Sequence, residues 1–318
     1  MSSDDHPIAV VALGGNALLP RAARPDAGQQ LLAARAAAKK IAGAIGDYRL
    51  VITHGNGPQV GLLALMNDAL PEVDPYPLDV LDAESEGQIG YVVEMEIDNA
   101  TEHCDTVALI TRVVVDPDDD AFAAPTKFIG PVYGESQALG MADERNWSVK
   151  PDGDGWRRVV ASPEPKSIVQ LPAIRQLVET GFLVVCAGGG GVPVVPEGSG
   201  HRGIEAVIDK DLCSALLAAE LEAELLVLAT DVEAVYENWQ SPDRQPIRET
   251  TPEALRGHDF AAGSMGPKVE AACRMVESTR GQAAIGSLDD LDRLLAGTAG
   301  TQVRRRRIPD GSQEEVTG

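Results

Sequence analysis

The chain has 318 residues, 44% of them hydrophobic, and a formal net charge of −22, enough to bury one large α/β core or two smaller ones. No stretch approaches the ~20 apolar residues that span a bilayer. The opening Met1-Ser2-Ser3-Asp4-Asp5 lacks the basic and apolar regions of a signal peptide, so a cytoplasmic location with no membrane partner is expected.

The acidity also argues against nucleic acid as a partner, because a polyanion is bound by basic patches that release its counterions. Only Arg304 to Arg307 form a basic run, read here as a solvated edge near the chain end. Carboxylates are spread along the whole chain and lysines number seven against twenty arginines. That balance suits a salt-rich cytosol, where hydrated carboxylates are screened from one another, and a halophilic source is the hypothesis it raises. The four cysteines, at 104, 186, 213 and 273, never take a Cys-x-x-Cys spacing, so buried thiols are expected rather than a metal or redox site.

In chain order, the apolar run Ile8–Leu13 reads as a strand ending in Gly14-Gly15-Asn16. Residues 28–46 place Leu31, Leu32, Ala34, Arg35, Ala38 and Ile41 at helical spacing, with Gly46 as the stop. A strand at 49–53 runs into His54-Gly55-Asn56-Gly57-Pro58, followed by helices over 57–69 and 79–103 and a strand at 106–115. From 116 to 165 the chain turns rich in proline, glycine and acidic residues, too long for a bare loop. It is expected to form a small inserted subdomain or lid, with Trp147, Trp156, Phe128 and Tyr133 as its core material.

The pattern then resumes with helix 167–180 and strand 182–187, which ends in Gly188, Gly189, Gly190 and Gly191. Four adjacent glycines are entropically costly, which suggests bare backbone N–H groups brought close to a ligand. Helix 209–223, strand 225–230, helix 264–280, strand 282–286 and helix 287–295 complete the chain. Such alternation predicts an α/β fold with a mostly parallel sheet and helices on both faces. Ligands of open sheets of this kind sit at the carboxyl ends of the strands, where the glycine loops fall.

Lys210 stands at the start of one helix, and Lys268 follows Pro267 at the start of another, with Ser264 as candidate N-cap. A cation at the positive end of a helix is disfavoured unless an anion fills the space. Two such lysines beside glycine loops point to phosphate oxygens. Lys127, in the 116–165 insert, is the third candidate. Walker A, dinucleotide and nucleophile-elbow motifs are all absent, and the five histidines form no metal-ligand cluster. Phosphoryl transfer needs positioning and charge neutralisation, which lysines, backbone N–H groups and Mg²⁺ supply. An acceptor that is already an anion dispenses with a general base.

Seven segments then align in order with one family. Val11-Ala12-Leu13-Gly14-Gly15-Asn16-Ala17, His54 to Gly61, Val113 to Pro117, Pro125-Thr126-Lys127, Gly188 to Pro193, Glu205 to Asp211 and Gly263 to Lys268 resemble the carbamate kinases, a branch of the amino acid kinase fold family. The resemblance runs from about residue 7 to 303. It implies a single three-layer α/β/α domain over 1–318 with a protruding subdomain at 116–165, and a homodimer. The implied reaction is reversible transfer of the ATP γ-phosphoryl group to carbamate, giving ADP and carbamoyl phosphate. Its implied setting is arginine deiminase fermentation, where it makes ATP, with carbamoyl phosphate supply as the opposite use.

Carried over by the same resemblance, Lys127, Lys210 and Lys268 would contact the phosphoryl group, with Asp211 holding Lys210 and Lys268. Gly14, Gly15, Asn16, Gly55, Asn56 and Gly57 would bind the small anion and the phosphoryl group. Gly189 and Gly190 would line the acceptor side, while Thr230, Asp231, Val232, Tyr236, Met265 and Gly266 would form the nucleotide pocket. Thr230-Asp231 departs from a common Thr-Gly, and Gly266 replaces a larger apolar residue. The rivals are acetylglutamate, aspartate or nucleoside monophosphate kinases of the same fold, which typically carry a lysine where Val11-Ala12-Leu13 stands here. A non-catalytic sensor on the fold, the other rival, would be expected to have lost some of the lysines.

Overall fold

The computed structural model describes residues 6–18, 27–69, 74–102, 104–239, 241–260 and 265–306, with the side chains of 16 and 17 outside the description. The first half contains β1 (Ile8–Leu13), α1 (Gly15–Leu18), α2 (Ala27–Gly43), β2 (Arg49–His54), α3 (Gly57–Asp68), α4 (Leu78–Ala100), β3 (Thr106–Ala108) and β4 (Arg112–Val114). An excursion follows through β5 (Lys127–Tyr133), α5 (Glu135–Arg145), β6 (Ser148–Asp152) and β7 (Gly155–Val160). The chain returns through β8 (Ser167–Ile168), α6 (Leu171–Glu179), β9 (Leu183–Val185), β10 (Val192–Glu197), β11 (Gly200–Gly203) and α7 (Lys210–Glu220). It closes with β12 (Leu225–Thr230), β13 (Val235–Glu237), β14 (Gln245–Ile247), β15 (Glu249–Thr250), α8 (Pro252–Arg256), α9 (Met265–Ser278), β16 (Gln282–Ser287), α10 (Leu291–Leu295) and β17 (Thr301–Val303).

Eight strands form the central sheet in the order β15-β17-β16-β12-β1-β2-β9-β3. It is parallel from β16 to β3, and β17 runs antiparallel to β16. The central strands are continuous apolar runs because helices cover both faces. Val10 and Ala12 of β1 point into one core with α7 and α9, while Ala9, Val11 and Leu13 point into the other with α2 and α10. The result is the expected three-layer sandwich of the amino acid kinase fold. Chain order reverses between β1 and β12, so the crevice at their carboxyl ends is a topological switch point.

The strand expected over 106–115 is two strands in different sheets, for β4 joins β10, β11 and β8 instead of β9. The break falls at Thr111, whose N–H is taken by the buried carboxylate of Glu86. Helix 167–180 starts only at Leu171, because Ser167–Ile168 pair with β4. Helix 287–295 opens as a 3₁₀ turn over Leu288–Asp290. The β10–β11 and β13–β14 hairpins and the edge strands β15 and β17 add to the predicted set. At the end of the described chain, Arg305 donates to the carbonyls of Val276 and Glu277 in the last turn of α9, a favourable place for a cation.

Within the 116–165 insert, β5-β7-β6 form an antiparallel sheet of their own with α5 packed on it. The buried apolar residues of this sheet and helix are Ile129, Ala138, Val159 and Val160. The four aromatic residues expected as its core are only half-buried. Trp147 instead lies beneath the guanidinium groups of Arg158 and Arg145, at 4.4 and 5.1 Å, and Phe128 beneath that of Arg157 at 5.6 Å. Against α3 the sheet approaches so closely that a Cβ on Gly61 would sit 2.1 Å from the backbone of Gly130.

Candidate functional site

The carboxyl ends of β1, β2, β9 and β12 bring the glycine loops together. A Cβ on Gly55 would lie 3.2 Å from the Cα of Gly15, and one on Gly14 would lie 3.0 Å from the Ala229 carbonyl oxygen. Gly14, Gly15, Gly55 and Gly57 are partly exposed and Asn56 is buried. The side chain of Asn16 and all of Ser264 fall outside the described residues.

Two helices deliver the lysines. Lys210 is the first residue of α7 and Lys268 the fourth of α9. Asp211 links them: its Oδ1 accepts from Lys210 Nζ at 2.5 Å and its Oδ2 from Lys268 Nζ at 2.8 Å. Burial opposes ionisation of Asp211, but the two ammonium groups outweigh it and hold the carboxyl well below the usual carboxylate range. Burial lowers the Lys210 pKa, whereas for Lys268 the pull of Asp211 overcomes burial and raises it. The two cations share one hydrogen-bonded anion at the positive ends of two helices, with Asp209 and, at Lys268, Asp231 as further negative charges nearby. Ammonium groups at helix N-termini suit a further anion.

Asp209 has two tasks. Its Oδ1 caps α7 by accepting from the N–H groups of Asp211 and Leu212, and its Oδ2 accepts from Lys127 Nζ at 2.7 Å. Lys127, on β5, is thereby held beside the other two lysines although its sequence position lies in the insert.

The glycine run 188–191 is buried throughout, and much of it is consumed by packing. Gly188 N–H donates to Glu86, Gly190 N–H to the Ala187 carbonyl and Gly191 N–H to the Gly188 carbonyl. Positive φ values at Gly189, Gly190 and Gly191 require glycine, and Cβ atoms there would overlap Asn56, Ile208 and Val113. The expectation of bare N–H groups is therefore corrected at Gly190, whose donor is already used. The side-chain amide of Asn56 donates to Asp82 Oδ1 and Ser85 Oγ and faces the scaffold, which leaves its backbone N–H as the group expected to meet a ligand. His54 is structural: burial lowers its pKa to about 4, so it is neutral, and its ring packs on Gly188.

Thr230 closes β12 at the switch point with Asp231 and Val232 after it, and Met265 and Gly266 open α9 next to Lys268. Tyr236 is half-buried, with Trp239 at 5.5 Å and the Arg244 guanidinium at 5.5 Å from its ring. Trp239 and Arg244 were not singled out by sequence, nor were Asp82, Ser85 and Glu86. The last three sit at i, i+3 and i+4 on α4, a spacing that marks one helix face, but the many acidic residues of this helix read as a solvated surface.

Comparison with known proteins places this geometry. A family model described as the amino acid kinase family matches residues 7–287, and the chain belongs to that family. More particularly, it is 49% identical over 296 residues to a carbamate kinase of Rhizobium meliloti, spanning 92% of this chain and 91% of that one. Against a carbamate kinase of Thermococcus kodakarensis the identity is 45%, over 93% of this chain and 98% of the other. Among solved structures, the carbamate kinase from Giardia lamblia bound to AMP-PNP superposes with a TM-score of 0.86 at 38% identity, covering 95% of this chain and 99% of that one. With relatives of this similarity along nearly its whole length, the chain is a kinase.

Proposed function

We infer that this protein catalyses the carbamate kinase reaction, ATP + carbamate to ADP + carbamoyl phosphate, in both directions. The observation that carries the reading is the pair Lys210 and Lys268, held by one buried carboxylate at the mouth of the sheet's switch point. An oxygen of the carbamate anion attacks the γ-phosphorus as the bond from that phosphorus to the β,γ-bridging oxygen breaks. Negative charge moves from the attacking to the bridging oxygen, and the lysines and loop N–H groups neutralise it throughout. Because carbamate is already an anion, no general base is needed.

Lys127 reaches this centre from the insert, which we propose acts as a lid that excludes water from labile carbamoyl phosphate. Gly14, Gly15, Asn16, Gly55, Asn56 and Gly57 are proposed to cradle the transferred group, and Gly189 to line the acceptor side. Thr230, Asp231, Val232, Tyr236, Met265 and Gly266 are proposed to hold the nucleotide; the Giardia relative, bound to AMP-PNP, supports the use of a nucleotide. No group of three or more potential metal-binding side chains occurs among the described residues. Mg²⁺ is proposed to arrive with the nucleotide phosphates, where it would supply further charge neutralisation.

Coupled detection of ATP formed from ADP and carbamoyl phosphate with Mg²⁺ tests the assignment. Absence of activity at every salt concentration would overturn it. A cytoplasmic homodimer that makes ATP in arginine deiminase fermentation is the proposed setting. Scattering mass in solution tests the dimer, and growth of a deletion strain on arginine tests the setting. The net charge of −22 supports a halophilic source, which equal stability in low and molar salt would refute.

A further inference from the structure

Helix α4 is 23 residues long and buries Asp82, Ser85 and Glu86 on the face that also carries Leu78, Leu81 and Ile89. Polar groups so placed are costly unless paired. Ser85 Oγ donates to the Asp82 carbonyl within the helix, Asp82 Oδ2 has no hydrogen-bond partner among the described residues, and the partners outside α4 belong to the ends of other strands. Asp82 Oδ1 and Ser85 Oγ take the amide of Asn56, just after β2. Glu86 uses both oxygens: Oε1 accepts from Gly188 N at 2.9 Å, after β9, and Oε2 from Thr111 N at 3.1 Å, after β3. The glycine run fits directly over these groups. A Cβ on Gly188 would meet Glu86 Cγ at 2.9 Å, and one on Gly189 would meet Asn56 Cγ at 2.4 Å. One helix therefore fixes the height and tilt of both the 54–57 and the 188–191 loops.

We propose that Asp82 and Glu86, one turn apart on α4, are positioning residues that set the acceptor-side loops and hence govern the use of carbamoyl phosphate while leaving nucleotide binding intact. This rests on the carbamate kinase reading given above. Neither residue belongs to the segments assigned to the nucleotide, which lie after β12 and at the start of α9.

Three variants of the full chain test it: Glu86→Gln, Asp82→Ala and Asp82→Asn. Even with a proton on one oxygen the carboxyl of Glu86 keeps an acceptor site on each, whereas glutamine has a single acceptor oxygen and its NH₂ would face one of the two N–H donors. Asparagine at 82 keeps the acceptor for Asn56. It also resembles the neutral carboxyl that burial favours by pushing Asp82 well above its ordinary value. In ATP formation from ADP, E86Q and D82A are expected to raise the KM for carbamoyl phosphate about tenfold or more, with the KM for ADP within about twofold, while D82N stays near wild type. Equal rises in both KM values, or none, would overturn the proposal.

If E86Q fails to fold, the D82A and D82N pair decides. Amide exchange supplies a readout independent of turnover: protection should fall at 186–191 in D82A or E86Q and persist in β12 and α9. Unchanged protection at 186–191 would also overturn it. A wild-type protein that makes no ATP would remove the activity reading and leave the exchange test standing.

Discussion

Asp211 accepts a hydrogen bond from Lys268 Nζ at 2.8 Å across 57 residues of sequence, while its other oxygen holds Lys210. Sequence alone suggested that lysines at two helix N-termini await an anion. The structure shows that one carboxylate already stands between them, hydrogen-bonded to both. Lys210→Ala and Lys268→Ala are each expected to cost several kcal/mol in transition-state stabilisation, on the order of 10²-fold or more in kcat, with the fold retained. Near wild-type turnover in either variant would remove that lysine from the phosphoryl clamp.

Asp211→Asn strands two buried ammonium groups, and breaking such a pair costs about 3–5 kcal/mol. The depressed pKa of Asp211 means that its contribution is present above the ordinary carboxylate value and is lost as pH falls through the lower folded value. Urea unfolding of wild type and D211N should therefore differ at neutral pH and converge in strong acid. A constant difference down to the acid limit would contradict the assignment.

Lys127 and Asp209 separate rate from stability. Asp209 caps α7 through Oδ1 and binds Lys127 through Oδ2, so Asp209→Asn keeps an oxygen for the cap and loses only the charge. It should cost under about 1 kcal/mol, whereas Asp209→Ala loses the cap and should cost ~1 kcal/mol or more. Lys127→Ala should leave Tm nearly unchanged, because partly exposed pairs contribute little, yet lower turnover with carbamoyl phosphate. Paired melting curves and steady-state assays decide: a fall in Tm without a fall in rate would make Lys127 a structural residue.

The parallel strands β1, β2, β9 and β12 and the lysine set were legible because each leaves a local mark. Strands covered on both faces are continuous apolar runs, and a lysine beside a helix start is visible in isolation. The break between β3 and β4 left no such mark, since its cause is Glu86, on another element. Asp82 and Glu86 were hidden for a related reason. On a helix that also carries Asp79, Glu84, Glu94 and Asp98, two more carboxylates look like solvated charge until the partners of each are known. The run 188–191 was legible as unusual, but its packing against Glu86, Asn56 and Ile208 was not, because close packing and ligand contact both select glycine.

The close packing at Gly189 can be separated from its backbone conformation. Gly189 has φ +70° and its Cβ position lies 2.3 Å from Asn56 Nδ2, whereas Gly198 has φ +57° with open space around it. Gly198→Ala should cost about 1 kcal/mol, the ordinary penalty of a left-handed conformation. Gly189→Ala adds overlap within a buried, hydrogen-bonded layer and should cost ~3 kcal/mol or more. Denaturant unfolding of both variants gives the comparison, and equal losses would mean that the loop yields to a methyl group without strain.

His54 and Glu86 both touch Gly188 and titrate in opposite senses. Burial lowers His54 from 6.5 to about 4 and raises Glu86 from 4.5 to about 8, the latter against its two N–H donors. Between pH 4.5 and 6.5 the unfolded chain protonates His54 and the folded chain does not, so this group makes stability rise with pH by up to ~1.4 kcal/mol per unit. Over the same window the folded chain keeps the proton on Glu86 and the unfolded chain releases it, so that group makes stability fall at the same limiting slope. These two nearly cancel, but the buried carboxyl of Asp82, which burial also pushes up, adds to the fall, and above pH 6.5 the fall from Glu86 continues until about pH 8. Relative to wild type, His54→Gln should therefore steepen the decline of stability with rising pH below pH 6.5, and Glu86→Gln should lessen that decline up to about pH 8. Lys210 faces His54, and Cys186 and Cys213 lie near Glu86, but the cysteine thiols are held protonated by burial and do not titrate in this range. Urea unfolding at fixed salt from pH 4.5 to 8 measures both curves, and parallel profiles for the two variants would show that neither group carries the assigned shift.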